Sequence, residues 1–161
     1  MNKKLKYALL DRDGTLIFEP QDTYQIDSLE KLKILDGVIE GLHFLLNNDY
    51  RLIMISNQDG LGTESFPKKD FEIPQNAMLK IFSDNNINFE EIFVCPHLPE
   101  DNCACRKPKT GLLDDWLETV NIDTEQSFVC GDRPTDSELA KNLNLKFVPI
   151  PTNGNFYEAV R

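Results

Sequence analysis

The sequence predicts an α/β protein, a parallel sheet covered by helices on both faces. Three observations carry this. Short apolar runs of strand length alternate with longer segments whose apolar residues recur at helical spacing. No internal repeat, low-complexity tract or linker interrupts the alternation. Polar clusters follow the strand-like runs directly, and in parallel sheets ligands bind at the carboxyl ends of the strands. The 161 residues suit one compact domain, residues 1–161.

Lys6 to Leu10 is a short apolar run ending in a polar turn, which reads as a buried strand. Val38, Leu42, Leu45 and Leu46 fall at helical spacing, so Gly37 to Asn48 reads as a helix. Arg51 to Ile55 is strand-like, with β-branched Ile53 and Ile55. Met78, Ile81 and Phe82 mark a second helix, opened by Pro74 and fading at Asn85 and Asn86. Ile92 to Cys95 is a third strand. Leu112, Leu113, Trp116, Leu117 and Val120 line one face of a third helix. Ser127 to Cys130 is a fourth strand. Thr135 with Glu138 matches a capping box, so a fourth helix runs to about Leu143. Phe147 to Ile150 closes the series. Ile17 to Ser28, Asp59 to Ile73 and Pro96 to Lys109 lack a regular pattern, and loops this long in a compact domain are usually functional.

Hydrophobic residues make up 40% and charged residues 27%, an ordinary soluble composition. The net charge of -10 argues against a general nucleic-acid binder, whose surface must be basic. Any cations that serve a phosphate substrate must then be concentrated at one site. No apolar run approaches the roughly 18 residues of a membrane span. Between Met1 and Leu10 lysines precede a short apolar stretch, which Asp11, Arg12 and Asp13 stop too early for a signal peptide. The protein therefore reads as cytoplasmic, where cysteines serve as ligands or core residues more than as disulfides.

Four clusters carry chemistry. In Asp11-Arg12-Asp13-Gly14-Thr15, two carboxylates one residue apart project to the same side of an extended chain. One suits a nucleophile and the other an acid and base. Gly14 allows a tight turn. A bare pair of aspartates suits a solvated turn equally well. Ser56-Asn57-Gln58 offers hydroxyl and amide donors to phosphoryl oxygens, though Ser-Asn also starts ordinary turns. In Arg106-Lys107-Pro108-Lys109 a lysine can offset phosphoryl charge; the plain alternative is a basic surface turn. In Gly131-Asp132-Arg133-Pro134-Thr135-Asp136 a further carboxylate completes an oxygen-rich pocket of the kind Mg2+ prefers.

In this order the clusters resemble the haloacid dehalogenase superfamily of phosphatases, whose nucleophile motif D-x-D-G-T is matched by Asp11 to Thr15. The resemblance spans almost the whole chain. It implies a Rossmann-like α/β fold without a large cap domain, and hydrolysis through an aspartyl-phosphate on Asp11. Asp13 matches the acid/base, Ser56 the phosphate-binding hydroxyl, Lys107 the charge-stabilising lysine and Asp132 a magnesium ligand. Mg2+ would be held by Asp11, Asp132 and the main-chain carbonyl of Asp13. Thr15, Asn57 and Arg106 complete the phosphate side.

Cys95, His97, Cys103 and Cys105 form Cys-x-His and then Cys-x-Cys. Residues i and i+2 of an extended segment share a face, so each pair can grip one metal. Three sulfurs and one nitrogen make a closed tetrahedral set for structural Zn2+. Unrelated thiols or a redox pair are the alternatives, and Cys-x-x-Cys is absent. Such a zinc-bound loop would fix Arg106 and Lys107 just after it. Cys130 reads as a core residue and His43 as a surface or half-buried histidine without a catalytic role.

The zinc loop narrows the resemblance to the branch holding histidinol-phosphate and heptose bisphosphate phosphatases. Gln58-Asp59-Gly60-Leu61-Gly62-Thr63, Phe18-Glu19-Pro20, Tyr24-Gln25-Ile26-Asp27 and Cys95-Pro96-His97-Leu98-Pro99 look like the histidinol-phosphate phosphatase type. In some bacteria that phosphatase is fused to an imidazoleglycerol-phosphate dehydratase domain, which would lie beyond Arg161. The implied substrate is a small phosphate ester carrying an amine and an imidazole; Glu19, helped by Gln25, is placed to face that end, and the plain alternative is that Glu19 solvates a surface loop. The rivals are a sugar-phosphate phosphatase of the heptose type, a phosphorylatable signalling module and a zinc-held binding module without turnover.

Overall fold

The computed structural model describes residues 3–161. Met1 and Asn2, where the leader reading begins, lie outside the described residues. Among the described residues five strands form one sheet: β1 (Lys6–Leu10), β2 (Tyr50–Asn57), β3 (Glu91–Cys95), β4 (Phe128–Gly131) and β5 (Lys146–Pro149). Their order is β3-β2-β1-β4-β5 and every pairing is parallel. The helices are α1 (Val38–Asn47), α2 (Lys68–Asp84), α3 (Asp114–Thr119), α4 (Pro134–Asn142) and α5 (Phe156–Val160).

The side-chain period of two in β1 separates two cores. Ala8 and Leu10 point to a face packed by Val38, Leu42 and Leu45 of α1, Met78 and Phe82 of α2, and Phe156 of α5. Tyr7 and Leu9 point to the other face, covered by Trp116 of α3 and Leu139 and Ala140 of α4. Tyr7 meets Trp116 edge-on, with ring centroids 5.0 Å apart. Both faces are dry, which is why β1 reads as an unbroken apolar run.

The strand order reverses at β1, with β2 on one side and β4 on the other. The crevice beyond the carboxyl ends of β1 and β4 is the place where such sheets hold ligands. Leu10 lies opposite Cys130 in register, and the Asp11 amide continues the ladder to the Cys130 carbonyl at 3.0 Å. Asp11 and Asp132 therefore emerge side by side from strands 120 positions apart in sequence.

The strands agree with the sequence reading to within a few residues at their ends, and the helices need four corrections. Pro74 does not open the second helix. It sits inside α2, which starts at Lys68, so the loop expected to reach Ile73 is shorter. Phe71, Pro74, Gln75, Met78 and Phe82 form its buried face, and that burial offsets the amide lost at proline. In α4, Pro134 takes the first helical position, so Arg133 caps the helix in place of Thr135. The Asp136 carboxylate, not Glu138, reaches back to the Arg133 amide at 3.2 Å. Leu112 and Leu113 precede α3 in a turn closed by the Leu113 amide on the Thr110 carbonyl, and Val120 is already extended. The five-residue α5 is too short to show a period in sequence.

His43 is half-buried with its ring nitrogen 2.7 Å from the Asn85 carbonyl, and Cys130 is buried in β4. Among the described residues no helix is long and apolar enough to cross a membrane.

Candidate active site

After β1 the chain turns at residues 12–17, where the amides of Leu16 and Ile17 both reach the Arg12 carbonyl. Gly14 has φ +83°, and a Cβ there would lie 2.5 Å from Asp132 Oδ2, so only glycine lets the two strand ends approach. Gly131 makes the matching approach to the Asp136 carboxylate, where a Cβ would stand 2.1 Å from Oδ2.

Asp11 is buried at the floor of this crevice. Its Oδ1 accepts from Lys107 Nζ at 2.8 Å and its Oδ2 from the Thr15 hydroxyl at 3.3 Å. Thr15 is fully buried and orients the Asp11 carboxylate from behind. Asp13 has both oxygens engaged, Oδ1 by Arg12 Nε at 2.6 Å and Oδ2 by Gln58 Nε2 at 3.0 Å. The same Gln58 amide donates to Ser56 Oγ at 2.6 Å. Ser56 and Asp13 thus face each other across one amide.

Lys107 arrives from the segment behind the cysteine cluster. Its ammonium spends its three protons on Asp11, on Asp136 Oδ1 at 2.8 Å and on the Ile55 carbonyl at 3.1 Å. Asn57 fixes the approach: its Oδ1 accepts from the Lys107 amide at 3.0 Å and its Nδ2 donates to the Lys107 carbonyl. Asn57 therefore acts on the backbone that carries Lys107. Burial disfavours the ammonium, but Asp11 and then Asp136 outweigh it, so Lys107 is held above its ordinary value. Burial likewise works against the Asp11 carboxylate, and Lys107 overrides it, leaving Asp11 below the usual range.

Carboxylate oxygens of Asp11, Asp132 and Asp136 lie within 4.8 Å of one another. Asp136 is spoken for, with Oδ1 on Lys107 and Oδ2 on the Arg133 amide. Asp132 is not: Thr152 donates to Oδ2 at 2.8 Å, while Oδ1 is buried without a hydrogen-bond partner among the described residues. Burial and the charge of Asp11 push Asp132 up to about 7. A buried, unpaired carboxylate oxygen beside a second carboxylate fits a divalent cation bound by oxygen ligands. The Asp13 carboxylate lies outside this group.

The cysteine cluster is assembled as the spacing implies. Cys95 Sγ is 3.4 Å from His97 Nδ1, 3.6 Å from Cys103 Sγ and 3.0 Å from Cys105 Sγ. His97 Nδ1 lies 3.2 Å from Cys105 Sγ, and all four atoms fall within 4.8 Å of one another. Zn–S bonds of about 2.3 Å imply donor spacings of about 3.8 Å, and the four atoms stand within about 1 Å of that, so the set fits Zn2+. Cys105 abuts Arg106, whose guanidinium pairs with Asp59 and bonds the His97 carbonyl, joining this loop to the loop after β2. Wild-type protein should carry about one zinc per chain by metal analysis, and Cys103→Ser should lose most of it. Equal zinc in the two proteins would remove Cys103 from the set.

A cleft of about 330 Å³ opens above the carboxylates. Glu19, Gln25, Arg106 and Arg133 line its walls. Glu19 is buried, and its carboxylate pairs with Arg133. Burial pushes Glu19 up against that pairing. The cleft wall cations thus come neutralised, Arg106 by Asp59 and Arg133 by Glu19.

Several participants escaped the sequence reading. Asp136 had a signal: it lies four residues after Asp132 in the same cluster, inside the first turn of α4. The Gln58 amide, read with its neighbours as a donor to phosphoryl oxygens, instead links Asp13 to Ser56. Arg12 sits between the two aspartates. Thr152, on the loop after β5, carries no local sign of its bond to Asp132.

Residues 6–153 match the polynucleotide kinase 3 phosphatase family. The chain belongs to that family. It is a haloacid dehalogenase-like phosphatase, a phosphomonoester hydrolase, as the motifs imply. It is 50% identical over 142 residues to the histidine biosynthesis bifunctional protein HisB of Buchnera aphidicola (subsp. Schizaphis graminum), covering 88% of this chain and 40% of that one. It is 55% identical over 137 residues to the protein of the same name from Actinobacillus pleuropneumoniae, covering 85% and 38%. The phosphatase chain thus spans about two fifths of the length of these relatives. A D,D-heptose 1,7-bisphosphate phosphatase from B. bronchiseptica, solved with magnesium and phosphate, superposes with a TM-score of 0.81 at 26% identity, over 96% of this chain and 85% of that one.

Proposed function

We propose that this phosphatase hydrolyses L-histidinol phosphate to L-histidinol and inorganic phosphate, a cytoplasmic step of histidine biosynthesis. The observation that carries the substrate is the 50% and 55% identity to histidine-biosynthesis proteins over 88% and 85% of the chain. We read the chain as a single phosphatase domain, and the rest of its bifunctional relatives' length as a second domain, for which a dehydratase is our reading.

Asp11 attacks phosphorus, and the bond from phosphorus to the histidinol oxygen breaks. Asp13 gives its proton to the departing alkoxide. Asp13 then takes a proton from water, whose oxygen attacks the aspartyl-phosphate and restores Asp11. Ser56 donates to a phosphoryl oxygen. Lys107 holds the attacking carboxylate and meets the charge that spreads over the phosphoryl group. Asp11, Asp132 and the main chain at Asp13 would hold Mg2+, which supplies charge neutralisation at the phosphoryl oxygens when bound.

The raised Asp132 carries a pH consequence. A carboxyl whose folded value exceeds its unfolded one stabilises the fold below the ordinary carboxylate range, and that contribution is lost as pH rises through about 7. Metal-free protein should therefore lose melting temperature between pH 5 and 8. Mg2+ should restore more of it at pH 8 than at pH 6. A Mg2+-induced shift in Tm that does not depend on pH would contradict the assignment.

The cleft favours histidinol phosphate over a sugar bisphosphate. A second phosphate needs a free cation, and Arg106 and Arg133 are both already paired. An ammonium or imidazolium instead takes the place of the half-exposed Arg133 on the buried Glu19, whereas a phosphate that took Arg133 would leave Glu19 buried and unpaired. Glu19→Gln should lower kcat/KM for histidinol phosphate about tenfold to a hundredfold, the worth of one charge-assisted hydrogen bond, while sparing a simple aryl phosphate. Equal losses on both substrates would place Glu19 in the common machinery. Faster hydrolysis of heptose 1,7-bisphosphate than of histidinol phosphate by wild type would end the substrate assignment.

A further inference from the structure

Arg12 is the largest side chain in the fully buried set, 1% exposed, and it carries a charge. An arginine is almost never buried this deeply unless its fork is paired. Its Nε donates to Asp13 Oδ1 at 2.6 Å and its Nη1 to Gln75 Oε1 at 2.8 Å. The guanidinium carbon stands 4.9 Å from the centroid of the Phe71 ring, and Nη2 has no hydrogen-bond partner among the described residues. Asp13 lines the cleft and Arg12 does not. Gln75 and Phe71 belong to the buried face of α2, so the helix that carries Pro74 supplies the frame for this cation.

We propose that Arg12 is a positioning residue for the acid/base Asp13, holding one carboxylate oxygen from behind so that the other faces Ser56 and the leaving group. The inference rests on Asp13 serving as the acid, as the proposed function has it. Two oxygens on one carboxylate have different tasks: Oδ1 is anchored on Arg12, and Oδ2, shared with the Gln58 amide, moves the proton. The anchor needs a planar fork, because Nε and Nη1 must reach Asp13 and Gln75 at once. A lysine presents one compact charge and cannot span both.

The leaving group provides a test that simple core packing would not move. An alkyl alcohol such as histidinol must be protonated as it departs, whereas p-nitrophenolate leaves unaided. Arg12→Met should lower kcat/KM for histidinol phosphate about 30- to 100-fold, the effect of misplacing a reacting group by about 1 Å. The same variant should lower kcat/KM for p-nitrophenyl phosphate no more than about threefold. Arg12→Lys should behave like Arg12→Met, and Gln75→Leu should give a smaller loss with the same bias toward the alkyl substrate. If Arg12→Met does not fold, the lysine and leucine variants are judged by the same ratio. Asp13→Asn separates the two layers of the argument. If it lowers kcat/KM equally for both substrates, the acid role of Asp13 fails and this inference falls with it. If it discriminates between them while the Arg12 and Gln75 variants do not, Arg12 is only a core residue and the proposal is overturned.

Discussion

Asp11→Asn should abolish turnover while leaving the protein folded. Amide and carboxylate have the same shape, but the amide nitrogen is a poor nucleophile and the attacking charge is gone. Removing a nucleophile from a covalent mechanism costs up to about 10⁶ in kcat, so the expected activity lies near the detection limit. The fold should survive for a specific reason. Asp11 and Lys107 are a buried pair, and deleting one partner normally leaves an uncompensated charge. Here Lys107 keeps Asp136 at 2.8 Å and the Ile55 carbonyl at 3.1 Å, so two of its three bonds remain. Rapid quench with ³²P-labelled substrate should show labelled protein for wild type and none for Asp11→Asn. Near-normal activity in Asp11→Asn with purified Mg2+ would end the covalent mechanism.

The site was legible in sequence where chemistry and topology share a local signal. Asp11 and Asp13 are two residues apart at a strand end, and the four zinc donors fall within a stretch of eleven residues. Ser56 and Lys107 each follow a strand or the zinc loop, so short motifs find them. Asp132 was legible because β4 ends just before it. What stayed hidden is the layer that orients these groups. Arg12 binds Gln75, 63 positions away, and Thr152 binds Asp132 across 20 positions. Nothing local distinguishes such residues from ordinary polar ones until the sheet order brings β1, β4 and the loop after β5 together. Pro74 misleads in sequence for a related reason. A proline alone signals a helix start, and only the burial of Phe71, Gln75 and Met78 around it shows that packing holds the helix through it. The pairing of Glu19 with Arg133, 114 positions apart, likewise needed the folded chain, and it changed the meaning of both residues.

Lys107→Met should be the most damaging substitution to fold and chemistry together. The ammonium is 4% exposed and bridges Asp11 and Asp136, so methionine fills much of the volume and removes the only cation in contact with either carboxylate among the described residues. Breaking a buried ion pair from one side costs about 3–5 kcal/mol. The loss depends on pH with a definite sign. Without Lys107, Asp11 and Asp136 must hold protons more tightly in the folded state than in the unfolded one, so the variant regains stability as pH falls and they become neutral. The deficit against wild type should be large at pH 8 and small at pH 5 in urea titrations. Mg2+ at Asp11 and Asp132 should recover part of it, because the ion replaces some of the missing charge. Catalysis should not recover. Loss of one preorganised donor to a developing charge costs about 10²–10³ in kcat, and misplacing Asp11 adds to that. Lys107→Arg should rescue neither property, since the bulkier planar fork does not fit where Asn57 and the Ile55 carbonyl close around the chain. A Lys107→Met protein with wild-type kcat in saturating Mg2+ would show that the ion alone carries the phosphoryl charge and that Lys107 serves the fold.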